Sequence, residues 1–203
     1  MTTAPRGPKS RDDILPHSLI HSEGSIGNMA SITYELHPVE NITTGAVGPP
    51  GKRVFYLQGR AGDQLVTLIV EKQQIQSLAV GLEQFLIDLE ERLPDLPQAS
   101  GEFDDSEMGL EEPIDPAFRV GHMGLGYDEE SDLLVLVARE IQPPDADPEL
   151  AAVARFWCSR SQLRKMCAWG LLVSEQGRPI CGNCGEPMDP EGHFCPKRNG
   201  HKH

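Results

Sequence analysis

No stretch of this chain could cross a bilayer as a helix, because no apolar run approaches the roughly 18–20 residues that a span needs. Its first residues, with Arg6, Lys9, Arg11, Asp12 and Asp13, lack the apolar core of a secretory signal, so the expected address is cytoplasmic. Aromatic side chains make up only 5% of the chain, which limits any use of base stacking. The five cysteines are an odd number, which argues against a disulfide framework. Also missing are a G-x-S-x-G elbow, a Walker loop and a dinucleotide fingerprint, so those hydrolase, nucleotidase and oxidoreductase classes have no local signature here.

At 203 residues there is room for one domain of ordinary size with appendages. An apolar fraction of 38%, together with 17 Pro and 20 Gly, implies that part of the chain is not packed. The net charge of −13 is unevenly spread. Residues 1–150 hold 10 Lys/Arg against 27 Asp/Glu, whereas residues 151–203 hold 8 against 4. An acidic body repels nucleic-acid phosphates; a basic tail can meet phosphates, an acidic protein or the chain's own carboxylates.

Residues 1–28 have no periodicity and are expected to be a disordered extension, with Met29 a candidate start of translation. Ser31 to His37 alternates, placing Ile32, Tyr34 and Leu36 on one side of a strand. Val54–Gln58 and Leu65–Val70 read as a hairpin with a loop of more than two residues, the second strand being apolar enough for a central place. Ile75, Leu78, Ala79, Leu82, Phe85, Leu86 and Leu89 then recur at helical spacing, giving a helix of about 18–20 residues that ends before Pro94. Residues 94–116 carry Glu102, Asp104, Asp105, Glu107, Glu111, Glu112 and Asp115 and no Lys or Arg, the composition of a solvated mobile loop. A second hairpin runs from Phe118 to Tyr127 and back through Leu133–Ala138. Residues 143–150 read as a linker or the entry to a short helix. Ser159 and Gln162 have capping-box spacing for a second helix whose inner face is Leu163, Met166, Cys167 and Gly170. The expected fold is therefore α+β. It has a mainly antiparallel sheet of about five strands with two helices over residues 29–176, and a zinc-ribbon-like tail over 177–203.

That tail reads Cys181-Gly182-Asn183-Cys184-Gly185, then Gly192-His193-Phe194-Cys195-Pro196. A C-x-x-C turn presents two thiolates together, and tetrahedral zinc takes four N or S ligands at about 2.0–2.3 Å. Cys181, Cys184 and Cys195 leave one position for a histidine. His193 is two residues from Cys195, so an extended chain points both side chains the same way; His201 is the second candidate and His203 the outsider. A thiolate-rich set on a Gly/Pro-rich tail, with no general base beside it, favours a structural zinc over a catalytic one. Cys158 and Cys167 read as small buried residues.

Several blocks occur together in order: Val54 to Gln58, Leu65 to Gln74, Arg119-Val120-Gly121 to Leu125-Gly126, Phe156-Trp157, and the ending from Cys184-Gly185 through Gly192-His193 and Cys195-Pro196 to Asn199-Gly200. Over about residues 30–201 the chain resembles a bacterial family of roughly two-hundred-residue proteins described as a domain of unknown function. The resemblance implies an architecture with a zinc tail and no particular reaction. It also favours His193 over His201, because the family's final Asn-Gly is often followed by an aromatic residue. Residues 1–28 and the acidic loop are departures from its pattern.

Three functional readings follow. The first is a protein-interaction or adaptor module with an unknown protein partner and a structural zinc. In the second, Arg160, Arg164, Lys165, Arg178, Lys197 and Arg198 form a surface for nucleic acid or an acidic partner. In the third, an enzyme uses a cleft near residues 70–75 or 119–126, where Glu71-Lys72-Gln73-Gln74 and the glycines 121, 124 and 126 cluster. For the first of those segments the simpler reading is helix-start chemistry.

Overall fold

The computed structural model describes residues 31–177, 180–188 and 193–198. The expected N-terminal extension, Met29, Arg178, His201 and His203 lie outside them, as does the side chain of Arg198. Seven strands form one sheet: β1 (Thr33–Leu36), β2 (Asn41–Val47), β3 (Val54–Ala61), β4 (Gln64–Val70), β5 (Pro116–Asp128), β6 (Leu133–Glu140) and β7 (Val153–Cys158). Two helices, α1 (Lys72–Arg92) and α2 (Arg160–Glu175), follow β4 and β7 respectively.

The α+β class and both helices match the sequence reading; the five-stranded, mainly antiparallel sheet does not. The order is β1-β7-β6-β5-β4-β3-β2, and the sheet is mixed, because β1 pairs with β7 and β4 with β5 in parallel. The two unforeseen strands are β2 and β7. β2 is rich in threonine, and its hydroxyls are satisfied in place: Thr43 donates to Met108 O at 2.6 Å and Thr44 to Tyr56 O at 2.7 Å. Such strands lack the apolar alternation that reveals a half-buried strand. The β3–β4 connection is tighter than expected, with only Gly62 (φ +55) and Asp63 between paired Ala61 and Gln64. Ile32 lies before β1 and is 60% exposed, so only Tyr34 and Leu36 of the expected apolar face pack inward.

The sheet curls strongly. Phe156 on β7 packs against Gly59 on β3, where a Cβ would lie 2.6 Å from the ring, although three strands separate β7 from β3. In a flat sheet those strands would stand about 19 Å apart at about 4.8 Å per step. The hollow face carries Leu36, Leu57, Leu68, Val120, Leu134, Leu136 and Phe156, all buried.

Helix α1 begins where Gln74 Oε1 accepts the Glu71 N–H at 2.8 Å, and it turns Ile75, Ala79, Leu82, Leu86 and Leu89 into the core. Helix α2 opens on the capping box foreseen from sequence: Ser159 Oγ accepts the Gln162 N–H at 3.1 Å, and Gln162 Oε1 accepts the Ser159 N–H at 2.8 Å. Gly170 lets α2 approach closely, since a Cβ there would lie 2.6 Å from Ile75 Cγ2 and 2.8 Å from Thr44 Cγ2.

Residues 94–116 are not simply solvated. Arg160 donates to Pro97 O and Arg164 to Ala99 O, while Phe103 meets the edge of Trp169 at 5.8 Å between centroids. Farther on, Gln58 donates to Glu111 O at 3.0 Å and accepts the Glu111 N–H at 2.7 Å, and Arg60 forks onto the Glu111 carboxylate. Met108 is buried, and Leu110 covers Gly45. The segment is a strap passing from the end of α1 along α2 to the outer face of β2 and β3. Apart from Glu111 its carboxylates face water, while its few apolar residues, its backbone groups and the Arg60–Glu111 pair hold it down. Among the described residues, no helix is long and apolar enough to cross a membrane.

Candidate metal centre

Beyond α2, Ile180 and Pro187 face each other across an isolated antiparallel bridge that encloses the Cys-x-x-Cys turn. The Cys181 N–H donates to Glu186 O and the Gly185 N–H to Cys181 O, both at 2.9 Å. Gly185 stands at φ +79, a conformation only glycine adopts freely. This turn aims the backbone N–H groups of Cys184 and Asn183 at the Cys181 sulfur and pulls its thiol down to about 6. At Cys184 the Glu186 N–H pulls the same way, but desolvation and the neighbouring Cys181 outweigh it, and that thiol titrates above its ordinary value.

The second half of the cluster is Cys195, fully buried, and the half-buried His193, with Phe194 between them 70% exposed. That alternation is what a locally extended chain produces. One ligand atom from each of Cys181, Cys184, His193 and Cys195 lies within 4.8 Å of all the others. The Cys181 and Cys195 sulfurs are 3.9 Å apart. This is far beyond a disulfide of about 2.05 Å and close to the ~3.8 Å edge of a tetrahedron with metal–sulfur bonds of about 2.3 Å. His193 Nε2 sits 3.1 Å from Cys184 Sγ, and His193 Nδ1 is buried without a hydrogen-bond partner among the described residues. The donor set is soft, closed and able to hold a metal ion. Cys158 and Cys167 stand apart from it: both are buried in the core, where desolvation pushes the Cys167 thiol up to about 12 and that of Cys158 further still.

Of the basic residues singled out from sequence, two on α2 are engaged by carboxylates within the chain. Arg160 forks onto Asp132 with both contacts at 3.1 Å, and its side chain is only 10% exposed. Arg164 does the same with Glu83 at 2.9 and 2.8 Å. Both guanidinium groups are therefore engaged inside the chain. Lys165 is half-buried on α2 and Lys197 is exposed beside Cys195.

The Glu71–Gln74 cluster does start a helix, with Glu71 also paired to Arg119. The two sequence segments suspected of lining a cleft do meet. A groove of about 550 Å³ lies between α1 and β5, with Gln73 and Gln74 on one wall and Gly121 to Leu125 on the other. Its helical wall extends to Gly81 and Phe85, which sequence reading assigned to the helix alone.

A comparison with protein families decides the grouping: residues 34–195 match the family described as "Protein of unknown function (DUF3090)". The chain belongs to the DUF3090 family. The matched span contains all four residues of the Cys/His cluster and both walls of the groove. No curated protein and no solved structure matches this DUF3090 chain.

Proposed function

We propose that this DUF3090 protein is an interaction module in which Cys181, Cys184, His193 and Cys195 hold one structural zinc ion, and that the zinc-fastened tail presents a surface to a protein partner. The observation that carries the reading is the closed ligand set: four soft donors within 4.8 Å of one another use every position of a tetrahedral ion and leave none for a reacting water. A short segment with so little core gains its order from the metal, since the binding free energy becomes folding free energy. The same fold of the tail leaves Phe194 70% and Ile180 60% exposed next to the cluster, and apolar side chains held out on a rigid support suit a partner's pocket. A nucleic-acid role finds less support, because Arg160 and Arg164 are engaged by Asp132 and Glu83.

Elemental analysis of the purified chain tests the first half: about one zinc per chain is expected, falling sharply in Cys195→Ser. Full zinc content in that variant would refute the ligand set. A photo-crosslinker at position 194 tests the second half. A specific adduct that Ile180→Ser or chelation removes would support the interaction surface, and crosslinking that is indifferent to both would exclude it.

A further inference from the structure

Helix α1 has a second stripe beside its core face. Gln74, Leu78, Gly81 and Phe85 follow one another at steps of four, three and four residues and look across the groove to β5. On β5 a register shift after Val120 turns Met123 and Leu125 toward the hollow face of the sheet, opposite Ala138 and Leu136. Gly121 is demanded by packing, since a Cβ there would lie 2.8 Å from the backbone of Ile141.

Gly81 is different. Its backbone is ordinary helix, and an added Cβ would meet nothing within 4 Å. A glycine in mid-helix costs stability relative to alanine, so neither local conformation nor close approach accounts for it. What it does is widen the groove at its middle, between Leu78 and Phe85 on one side and Met123 and Leu125 on the other.

The lining has a consistent chemistry. It contains no Asp, Glu, Lys or Arg, in a chain of net charge −13. The floor is Leu78, Phe85, Met123 and Leu125, and Gln73 and Ser77 stand exposed at the mouth. The Gln74 amide is already taken up by Glu71 N–H and Val120 O. A volume of about 550 Å³ is that of a small-molecule site. A charged guest would lose hydration with no counter-charge to replace it, whereas an apolar body with one hydrogen-bonding end matches both zones.

We propose that this groove is a binding site for a small uncharged molecule, with an aromatic or aliphatic body beneath Gly81 and a single polar end at Gln73 and Ser77.

The test is titration of the full chain with N-phenyl-1-naphthylamine, an uncharged aromatic fluorophore with one N–H that brightens in apolar surroundings. Saturable uptake at one dye per chain is expected. Affinity should fall roughly tenfold or more in Gly81→Leu, which fills the groove from its empty side, and in Ser77→Phe, which closes its mouth from an exposed position. Circular dichroism checks that each variant is folded, and either one suffices if the other is not. Absence of saturable uptake would overturn the proposal, as would equal uptake by the folded variants. Dye binding that disappears as sedimentation shows the chain dimerising would reassign the groove to a second copy and overturn it too.

Discussion

The two helices each contain an interior glycine, and the structure assigns alanine substitutions at them opposite signs. Taken alone, Gly→Ala in mid-helix stabilises by about 0.5–1 kcal/mol. At Gly81 nothing within 4 Å opposes the new methyl, so that gain should survive. At Gly170 the methyl would sit 2.6 Å from Ile75 Cγ2 and 2.8 Å from Thr44 Cγ2. Both neighbours are β-branched and stiff about χ1, Thr44 is fixed by its bond to Tyr56 O, and Ile75 is buried in the core. Relief must come from moving α2 away from α1 and β2, an overpacking cost of about 1–3 kcal/mol. Set against the helix gain, the net is a loss of up to about 2.5 kcal/mol for Gly170→Ala. For a chain of this length that lowers the melting temperature by up to roughly 10 °C, while Gly81→Ala raises it by roughly 1–4 °C. Thermal melts followed at 222 nm, with urea titrations to confirm, measure both. Shifts of the same sign would refute the reasoning, because they would mean that packing around the two glycines does not differ as described.

The remaining predictions concern the strap, the acid limb and the thiols. Gln58→Leu leaves the Glu111 N–H and carbonyl without their partners and should cost about 1–3 kcal/mol; faster cleavage within 94–116 by a glutamate-specific protease would be the sign. The Arg60 guanidinium hydrogen-bonds Glu111 and lowers its carboxyl below the ordinary value, against the opposing effect of burial. A depressed folded-state value contributes stability above the unfolded value and loses it as the pH falls through the folded one, so the gap between wild type and Glu111→Gln should shrink with acidification. A gap that widens in acid would contradict the pairing. A thiol reagent applied to the folded, chelated protein should reach Cys181, Cys184 and Cys195 while Cys158 and Cys167 stay unmodified until the core is denatured. Early labelling of Cys167 would show that the core is looser than described.

What could be read from the sequence was what the chain arranges locally. Ile75 to Leu89 declares a helix by spacing alone, Ser159 and Gln162 declare a cap, and Cys181-x-x-Cys184 with His193-x-Cys195 declares a cluster, because each pattern needs only neighbours in the chain. β2 was hidden because its Thr43 and Thr44 are buried by bonds to Met108 O and Tyr56 O, from segments 65 and 12 residues away. β7 went unassigned because its six residues, Val-Ala-Arg-Phe-Trp-Cys, run directly into the α2 cap. The strap looked like a loop because its charge hides Met108 and Leu110, whose positions depend on Gly45 and Thr43 across the fold. The groove was half visible: the glycines of β5 hinted at it, but Gly81 has meaning only once α1 is seen to stand over β5.

The parallel pairing of β1 with β7 has a consequence for biosynthesis. Thr33 sits opposite Val153 and Leu36 opposite Phe156, so the first strand made meets its neighbour 120 residues later. A ribosome adding about 5–20 residues per second needs roughly 6–24 s to bridge that interval, during which β1 has no neighbour. Phe156 also fills the hollow against Gly59, so the nascent strands on the β2 side wait for it on their apolar face over a somewhat shorter interval. The chain therefore emerges as an unfinished, acidic, apolar-faced intermediate that closes only when its last strand is released, and a nonsense codon before residue 153 would yield a product that can never close.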